Sequence, residues 1–252
     1  MRKVVIIISL IFISAFQLRA DENSDLFTKG NTAFTGKFYQ QAIECYEKII
    51  KNGYESSELY YNLGSAYFKQ TDYPSAILYF EKAKKLNPSD EDIIFNLKVA
   101  NNKIVDKIDE IPEFFMLRWW KNFRNIFSFN TWATIGIALL IISLSLFGLY
   151  LFSTVLRRRK LAFWTSLSFA FIMFLSFICA QSQYSGITSN KEAVIFTPSV
   201  TAKSSPDINS TDIFVIHEGT KVKVIDNVGE WSEIKIANGS VGWVNTSTYK
   251  VI

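Results

Sequence analysis

Two uncharged apolar runs, residues 132–156 and 161–180, are separated only by Arg157-Arg158-Arg159-Lys160. Their lengths, 25 and 20 residues, match the roughly 20 residues that a helix needs to cross a hydrocarbon core. With four residues between them, two such helices can only run antiparallel as a hairpin whose turn carries four positive charges. The positive-inside tendency places that turn in the cytoplasm. Arg118, Lys121 and Arg124 flank the first run on the other side as a counter-signal, but the turn is denser in charge.

The N-terminus supports the same orientation independently. Arg2 and Lys3 precede an uncharged run over residues 4–18, and Arg19-Ala20 leads into acidic Asp21-Glu22. This is a secretory signal pattern. Leu18 stands where a small residue is preferred before cleavage, so residues 1–20 read as a signal peptide or as a retained N-terminal anchor. Either would export the chain from residue 21 onward, and no cysteine stands after the run to accept a lipid. Both soluble parts, residues 21–131 and 181–252, are then expected on the periplasmic side of a bacterial inner membrane, because two spans separate them.

The net charge of +4 does not indicate nucleic acid. Residues 118–160 hold seven basic and no acidic side chains, whereas residues 21–117 hold 11 basic and 16 acidic ones and residues 181–252 hold six and seven. The excess sits where it orients a membrane protein, and the soluble parts are mildly acidic. Cys45 reads as a small core residue and Cys179 as a lipid-facing or hairpin-packing one; one in a soluble helix and one in an apolar run form no disulfide framework. Residues 111–131 mix aromatics such as Trp119 and Trp120 with cations just before the first span, as an interfacial segment does.

Compared with itself at an offset of 34, the chain pairs Gly30 with Gly64, Phe34 with Phe68, Tyr39 with Tyr73, Ala42 with Ala76 and Tyr46 with Phe80. With these small and aromatic residues at that period, residues 21–110 resemble the tetratricopeptide repeat. Gly64 and Ala76 let two helices approach, and Tyr67 and Phe80 fill the remaining space. Helices are expected near residues 24–35, 39–52, 57–70, 73–86 and 90–105, the fourth ended by Asn87-Pro88 and the fifth acting as a cap. Asp90-Glu91-Asp92 reads as a helix start, where negative charge meets the dipole favourably.

The resemblance implies a short groove for a peptide or tail, lined by the first helix of each repeat. Phe27, Asn31 and Phe34 would face it from the first repeat. Tyr61, Asn62, Ser65, Phe68 and Lys69 would face it from the second. Asn31 and Asn62 match asparagines with which some relatives grip a terminal carboxylate, while Phe27, Asp92 and Asn96 stand where those relatives carry basic residues.

Beyond residue 180 the pattern turns to short β-type runs at residues 193–196, 213–216, 222–225, 231–236 and 241–244, with Asn238-Gly239 as a tight-hairpin signal. Five short strands indicate a small β-barrel. Glu218-Gly219, Val222, Val224, Trp231, Ile234 and Gly242-Trp243-Val244 resemble the bacterial SH3-like family over residues 189–252. Such domains often bind cell-wall peptide or protein, which makes Trp231 and the long loop over residues 197–212 the candidate surface; Trp243 is expected in the core. His217, the only histidine, reads as a satisfied surface residue beside Glu218.

No zinc set can be built from a single histidine and two separated cysteines, and no phosphate-cradling glycine loop or glycine-flanked nucleophilic serine occurs. The chain is therefore read as a non-enzyme without cofactors: an all-α tetratricopeptide module, a two-helix transmembrane hairpin and a small all-β SH3-like barrel. In this order the modules resemble BatE-like proteins of the Bacteroides aerotolerance operon. That resemblance implies a scaffold or adaptor in an envelope complex with other Bat proteins, several of them von Willebrand A-type, and a link to oxygen or envelope stress. The alternative is an envelope sensor or anchor whose SH3-like domain binds cell wall.

Overall fold

A computed structural model describes residues 22–108, 111–112, 114–189 and 191–252; the expected signal or anchor segment lies outside the described residues. The helical module is built from α1 (residues 22–35), α2 (Tyr39–Lys51), α3 (Ser57–Lys69), α4 (Tyr73–Leu86) and α5 (Glu91–Asn101). Side-chain caps define several of the starts. Ser56 accepts the N–H of Leu59, Asp72 that of Ser75, and Asp90 those of Asp92 and Ile93, each satisfying an otherwise orphan donor. The cap helix is shorter than expected, ending at Asn101, and the chain beyond it runs along the β-module.

Close packing explains the small residues of the repeat. A Cβ on Gly64 would stand 2.9 Å from the Phe80 ring and 3.2 Å from the Ala76 carbonyl oxygen, and one on Gly30 would stand 2.5 Å from the Tyr46 ring. In each repeat the turn between the helices is closed by a residue other than glycine in the left-handed region, Lys37 (φ 64°) and Thr71 (φ 65°).

The short helix α6 (Phe115–Arg124) precedes α7 (Phe129–Phe152) and α8 (Leu156–Ser189), both long and apolar enough to cross a membrane. Leu144, Leu149, Phe171 and Phe174 on their outer faces are at least 60 % exposed, an arrangement that hydrocarbon tolerates and water does not. Between the two helices the polar contacts are few and internal. Ser143 Oγ donates to the Ser166 carbonyl (3.0 Å), Ser166 Oγ to the Ser143 carbonyl (2.9 Å) and Ser176 Oγ to the Trp132 carbonyl (2.7 Å). Cys179 is buried in the hairpin.

The hairpin boundaries differ from expectation. Helix α7 starts inside the expected interfacial segment, and the break falls at residues 153–155, where Ser153 is extended (φ −77°, ψ 128°). Arg157 to Lys160 therefore form the first turn of α8 and not a loop. Arginine and lysine are good helix formers, so charge alone does not interrupt a helix. At the other end α8 continues nine residues past Ala180, to Ser189.

The C-terminal module is one antiparallel sheet in the order β3-β2-β6-β5-β4-β1-β7. Its strands are β1 (Glu192–Ile195), β2 (Ser199–Lys203), β3 (Asp212–His217), β4 (Lys221–Val228), β5 (Trp231–Lys235), β6 (Val241–Asn245) and β7 (Tyr249–Val251). Inward residues from β1 to β6, among them Ile195, Ala202, Ile216, Val224, Ile234 and Val244, meet in one core. Irregular pairing at Ala202/Lys203 and between Val224 and Asp226 accompanies the bending that this requires. Seven strands replace the expected five: β2 lies inside the stretch expected to be a loop, and β7 lies beyond the last expected strand. Trp243 is only half-buried, because the inward positions of β6 are Gly242 and Val244; the tryptophan lies opposite Glu233 and Lys203 on the outer face.

The two soluble modules are docked. Val194 of β1 enters the apolar cluster of Ala76, Ile77, Leu97 and Ala100. Gly219, at φ +84°, presses its bare Cα against Ile104: a Cβ there would come within 2.4 Å of the isoleucine methyl. Ile108 packs on the β core, and the N–H of Ile111 donates to the Ala237 carbonyl. Lys221 bridges Glu81 of α4 (3.0 Å) and Glu192 of β1 (2.9 Å). His217, read as a satisfied surface residue, finds its partner in Asp106, with ring nitrogen Nδ1 2.8 Å from the carboxylate.

Candidate peptide-binding groove

Residues 61, 62, 65, 68 and 69 recur at the spacing of one helical face. On α3 that face is partly exposed, while Leu63, Gly64 and Ala66 turn inward. Tyr61, Asn62, Ser65, Phe68 and Lys69 share a concave cavity of about 240 Å³ with Phe34 of α1, Phe80 of α4 and Asn96 of α5. Six of the eight residues expected to line the groove thus meet there. Phe27 does not; its ring packs on Tyr46 of the first repeat, with centroids 6.0 Å apart.

Asn31 sits beside the cavity as the centre of a small network. Its Oδ1 accepts from the Tyr46 hydroxyl (2.7 Å) and from Asn62 Nδ2 (3.1 Å). The two asparagines therefore orient each other, which engages one N–H of Asn62 and leaves its second N–H and its oxygen to meet a ligand. At the far side Asn96 Nδ2 donates to the Tyr61 hydroxyl (3.0 Å) and to the Asp92 carbonyl (2.8 Å). Burial, followed by the Asp92 charge, raises the Tyr61 phenol above its ordinary value, with opposing hydrogen bonds from Ser65 and Asn96. At neutral pH it is a protonated donor. Phe34 and Phe68 make equivalent edge contacts with Tyr39 and Tyr73, at 5.5 and 5.6 Å, so the apolar walls repeat with the same period as the helices.

This combination of apolar walls, amide groups and one terminal cation, Lys69, suits an extended backbone with apolar side chains. Phe80 as the floor is not among the groove residues expected from sequence, and Asn96, which stands where some relatives carry a basic groove residue, forms the far wall. The small residues opposite Phe80, at Gly64 and Ala76, were the available sign that its ring would reach across.

Trp231 lies on the outer face of β5, half-buried, opposite Asn245 and Val228. Together with Trp243 on the neighbouring strand it gives the β-module an aromatic outer surface. The stretch over residues 197–212, expected to join that surface as a loop, contributes β2 to the sheet.

Residues 27–91 match the tetratricopeptide repeat family, and residues 199–249 match the bacterial SH3 domain family. The second match begins at β2, so β1, which pairs with β4 and β7 and carries the docking residue Val194, precedes it. No curated protein matches the chain. The chain thus joins repeats of a kind that suggests protein–protein interaction to a domain of a kind that suggests cell-wall binding, through two apolar helices.

Proposed function

We propose that the chain is a membrane-anchored scaffold or adaptor that holds an extended peptide or tail of a partner in the groove between α1, α3 and α5. The observation that carries this reading is the groove itself: five residues at helical spacing on α3, joined by Phe34 of α1, around a cavity of about 240 Å³, left open while the β-module docks on α4. Charge placement and the N-terminal pattern support an inner-membrane location with both modules in the periplasm. By resemblance to BatE-like proteins, the partners are other Bat proteins with von Willebrand A-type domains, in a complex linked to oxygen or envelope stress.

A photo-crosslinking residue at Ser65 of the full chain, in its own membrane, tests the proposal. It should capture a discrete partner, and Lys69→Glu, at an exposed rim position, should strongly reduce capture while the chain still inserts and unfolds at its usual temperature. Undiminished capture by that variant would refute the groove. Orientation is tested separately with Lys51→Cys and Ser205→Cys in a background without Cys45 and Cys179: both should label with an impermeant thiol reagent.

The outward Trp231 and Trp243 favour a second reading, in which the β-module grips cell wall. Sedimentation of the full chain in micelles with purified wall, compared with Trp231→Ala, distinguishes the two.

A further inference from the structure

Between the Ser143–Ser166 bonds and the turn at residues 153–155, the transmembrane hairpin holds a cavity of about 560 Å³. Helix α8 gives it one stripe, Arg158, Leu161, Ala162, Thr165 and Phe169, spaced as a single helical face requires. Ala162 and Thr165 are too small to fill the space. At its mouth Leu149, Phe152 and Leu161 are each more than 60 % exposed, so the cavity opens sideways, towards hydrocarbon.

Its length matches one leaflet. From Arg158 to Phe169 the stripe rises through eleven residues, or ~16 Å at about 1.5 Å per residue. Half of a hydrocarbon core roughly 30 Å thick is about the same depth. Apolar walls with one placed charge are the usual composition of a ligand pocket, and here the charge stands at the end nearest the membrane surface. The long arginine side chain can carry it to headgroup height.

The chain itself supplies no anion there. No acidic residue occurs between Phe114 and Lys191. Helix α7, with 24 residues, holds the turn ~36 Å from the side on which the soluble modules stand, beyond the reach of their carboxylates. Arg159 is turned onto the Tyr150 ring, 5.0 Å from its centroid. Arg158 makes no hydrogen bond or ion pair among the described residues. The positive-inside tendency accounts for four cations at the turn as a group, but not for one of them lining an apolar cavity.

We propose that this cavity holds one acyl chain of an anionic phospholipid, with the lipid phosphate on the Arg158 guanidinium. The planar guanidinium meets a phosphate through two parallel N–H bonds, and the methylenes lie over Ala162 and Thr165. The proposal rests on the bilayer placement of α7 and α8 and not on the peptide groove, so failure of peptide binding leaves it standing.

The test uses the full chain reconstituted in phosphatidylcholine nanodiscs doped with phosphatidylglycerol, then transferred to micelles. Retained lipids are counted by native mass spectrometry, and the unfolding temperature is read alongside. The chain should keep phosphatidylglycerol over phosphatidylcholine. Arg158→Gln should lower that preference by about tenfold or more, as the loss of hydrogen bonds to a charged group does. Arg158 is exposed, so the unfolding temperature should not move. Lys160→Gln removes the same charge from the opposite side of α8 and should lower the preference by no more than about twofold. Ala162→Phe fills the cavity without changing charge and should reduce the number of lipids retained; if that variant does not fold, the Arg158 and Lys160 pair decides. Equal loss in Arg158→Gln and Lys160→Gln would reduce the effect to undirected attraction by a basic turn and overturn the proposal. Undiminished retention by folded Ala162→Phe, or equal retention of the two lipids by the unaltered chain, would overturn it as well.

Discussion

Asp106 and His217, 111 residues apart, join the helical module to the β-module through a single carboxylate. Asp106 Oδ1 lies 2.8 Å from His217 Nδ1, and Oδ2 accepts both the His217 backbone N–H and the Thr220 hydroxyl, each at 2.6 Å. The docked arrangement depends on one side chain in the connecting segment as much as on apolar contact. Asp106→Ala leaves the N–H and the hydroxyl without their acceptor and should weaken docking by about 2–3 kcal/mol, the scale of hydrogen bonds to a charged group. Faster proteolysis within residues 102–112 and separation of one unfolding transition into two would report it.

The same carboxyl makes docking sensitive to acid. Burial acts to raise the Asp106 value, but the bonds from Thr220 and His217 outweigh it and hold the group below its ordinary 3.8. A depressed carboxylate contributes stability that is complete above its unfolded value and lost as pH falls through the lower folded one. The contribution of Asp106 to docking should therefore be complete and independent of pH near neutrality, and should weaken below about pH 4. Asp106→Asn should lose that part of the acid dependence, as read by proteolysis across a pH series.

Lys221 between Glu81 and Glu192 predicts an asymmetry between removing and replacing charge. Lys221→Met leaves two carboxylates facing each other, Glu81 with only 9 % of its side chain exposed. This should cost about 3 kcal/mol, whereas Lys221→Met combined with Glu81→Leu and Glu192→Leu should recover most of the loss. Chemical unfolding of the full chain in micelles separates the two outcomes.

At Thr71 the backbone is left-handed, a conformation that costs a β-branched residue roughly 1–2 kcal/mol. Thr71→Gly should therefore stabilise the repeat by about 1 kcal/mol after the greater chain entropy of glycine is set against the relief. Lys37→Gly should act in the same direction by less. A rise in the unfolding midpoint checks both.

The reciprocal bonds between Ser143 and Ser166 are the polar contact at mid-hairpin among the described residues. Replacing both serines by alanine should loosen α7 from α8 by about 0.6–2 kcal/mol. Cross-linking yield between cysteines placed at Leu146 and Ala162, which line one cavity of the hairpin, should fall accordingly.

The helical module was readable in advance because its packing is local and periodic: Gly64 beneath Phe80 and the 34-residue offset are visible in the chain itself. Charge misled at the hairpin turn, since Arg157 to Lys160 favour a helix as readily as a loop, and the break falls where Ser153 extends the backbone. Strand β2 escaped because Val200 and Ala202 are small inward residues flanked by polar ones, too sparse to register as a buried strand. Trp243 is expected in the core, yet its register against Glu233 and Lys203 puts it on the outer face, half-buried. In the groove, the helical spacing of Tyr61 to Lys69 was legible. The bond between Asn31 and Asn62 was not, nor was the meeting of Asp106 with His217, because both depend on how separate elements pack.

The extra length of α8 works as a spacer of set height. Nine residues beyond Ala180 rise ~13 Å, against a headgroup layer of roughly 6 Å on each side of the bilayer, and only two residues then separate Ser189 from β1. Two residues reach at most about 7 Å, so the start of β1 stays close to the end of α8. The β-module is thereby held from two directions, along the chain from α8 and sideways to α4 through the Lys221–Glu81 pair.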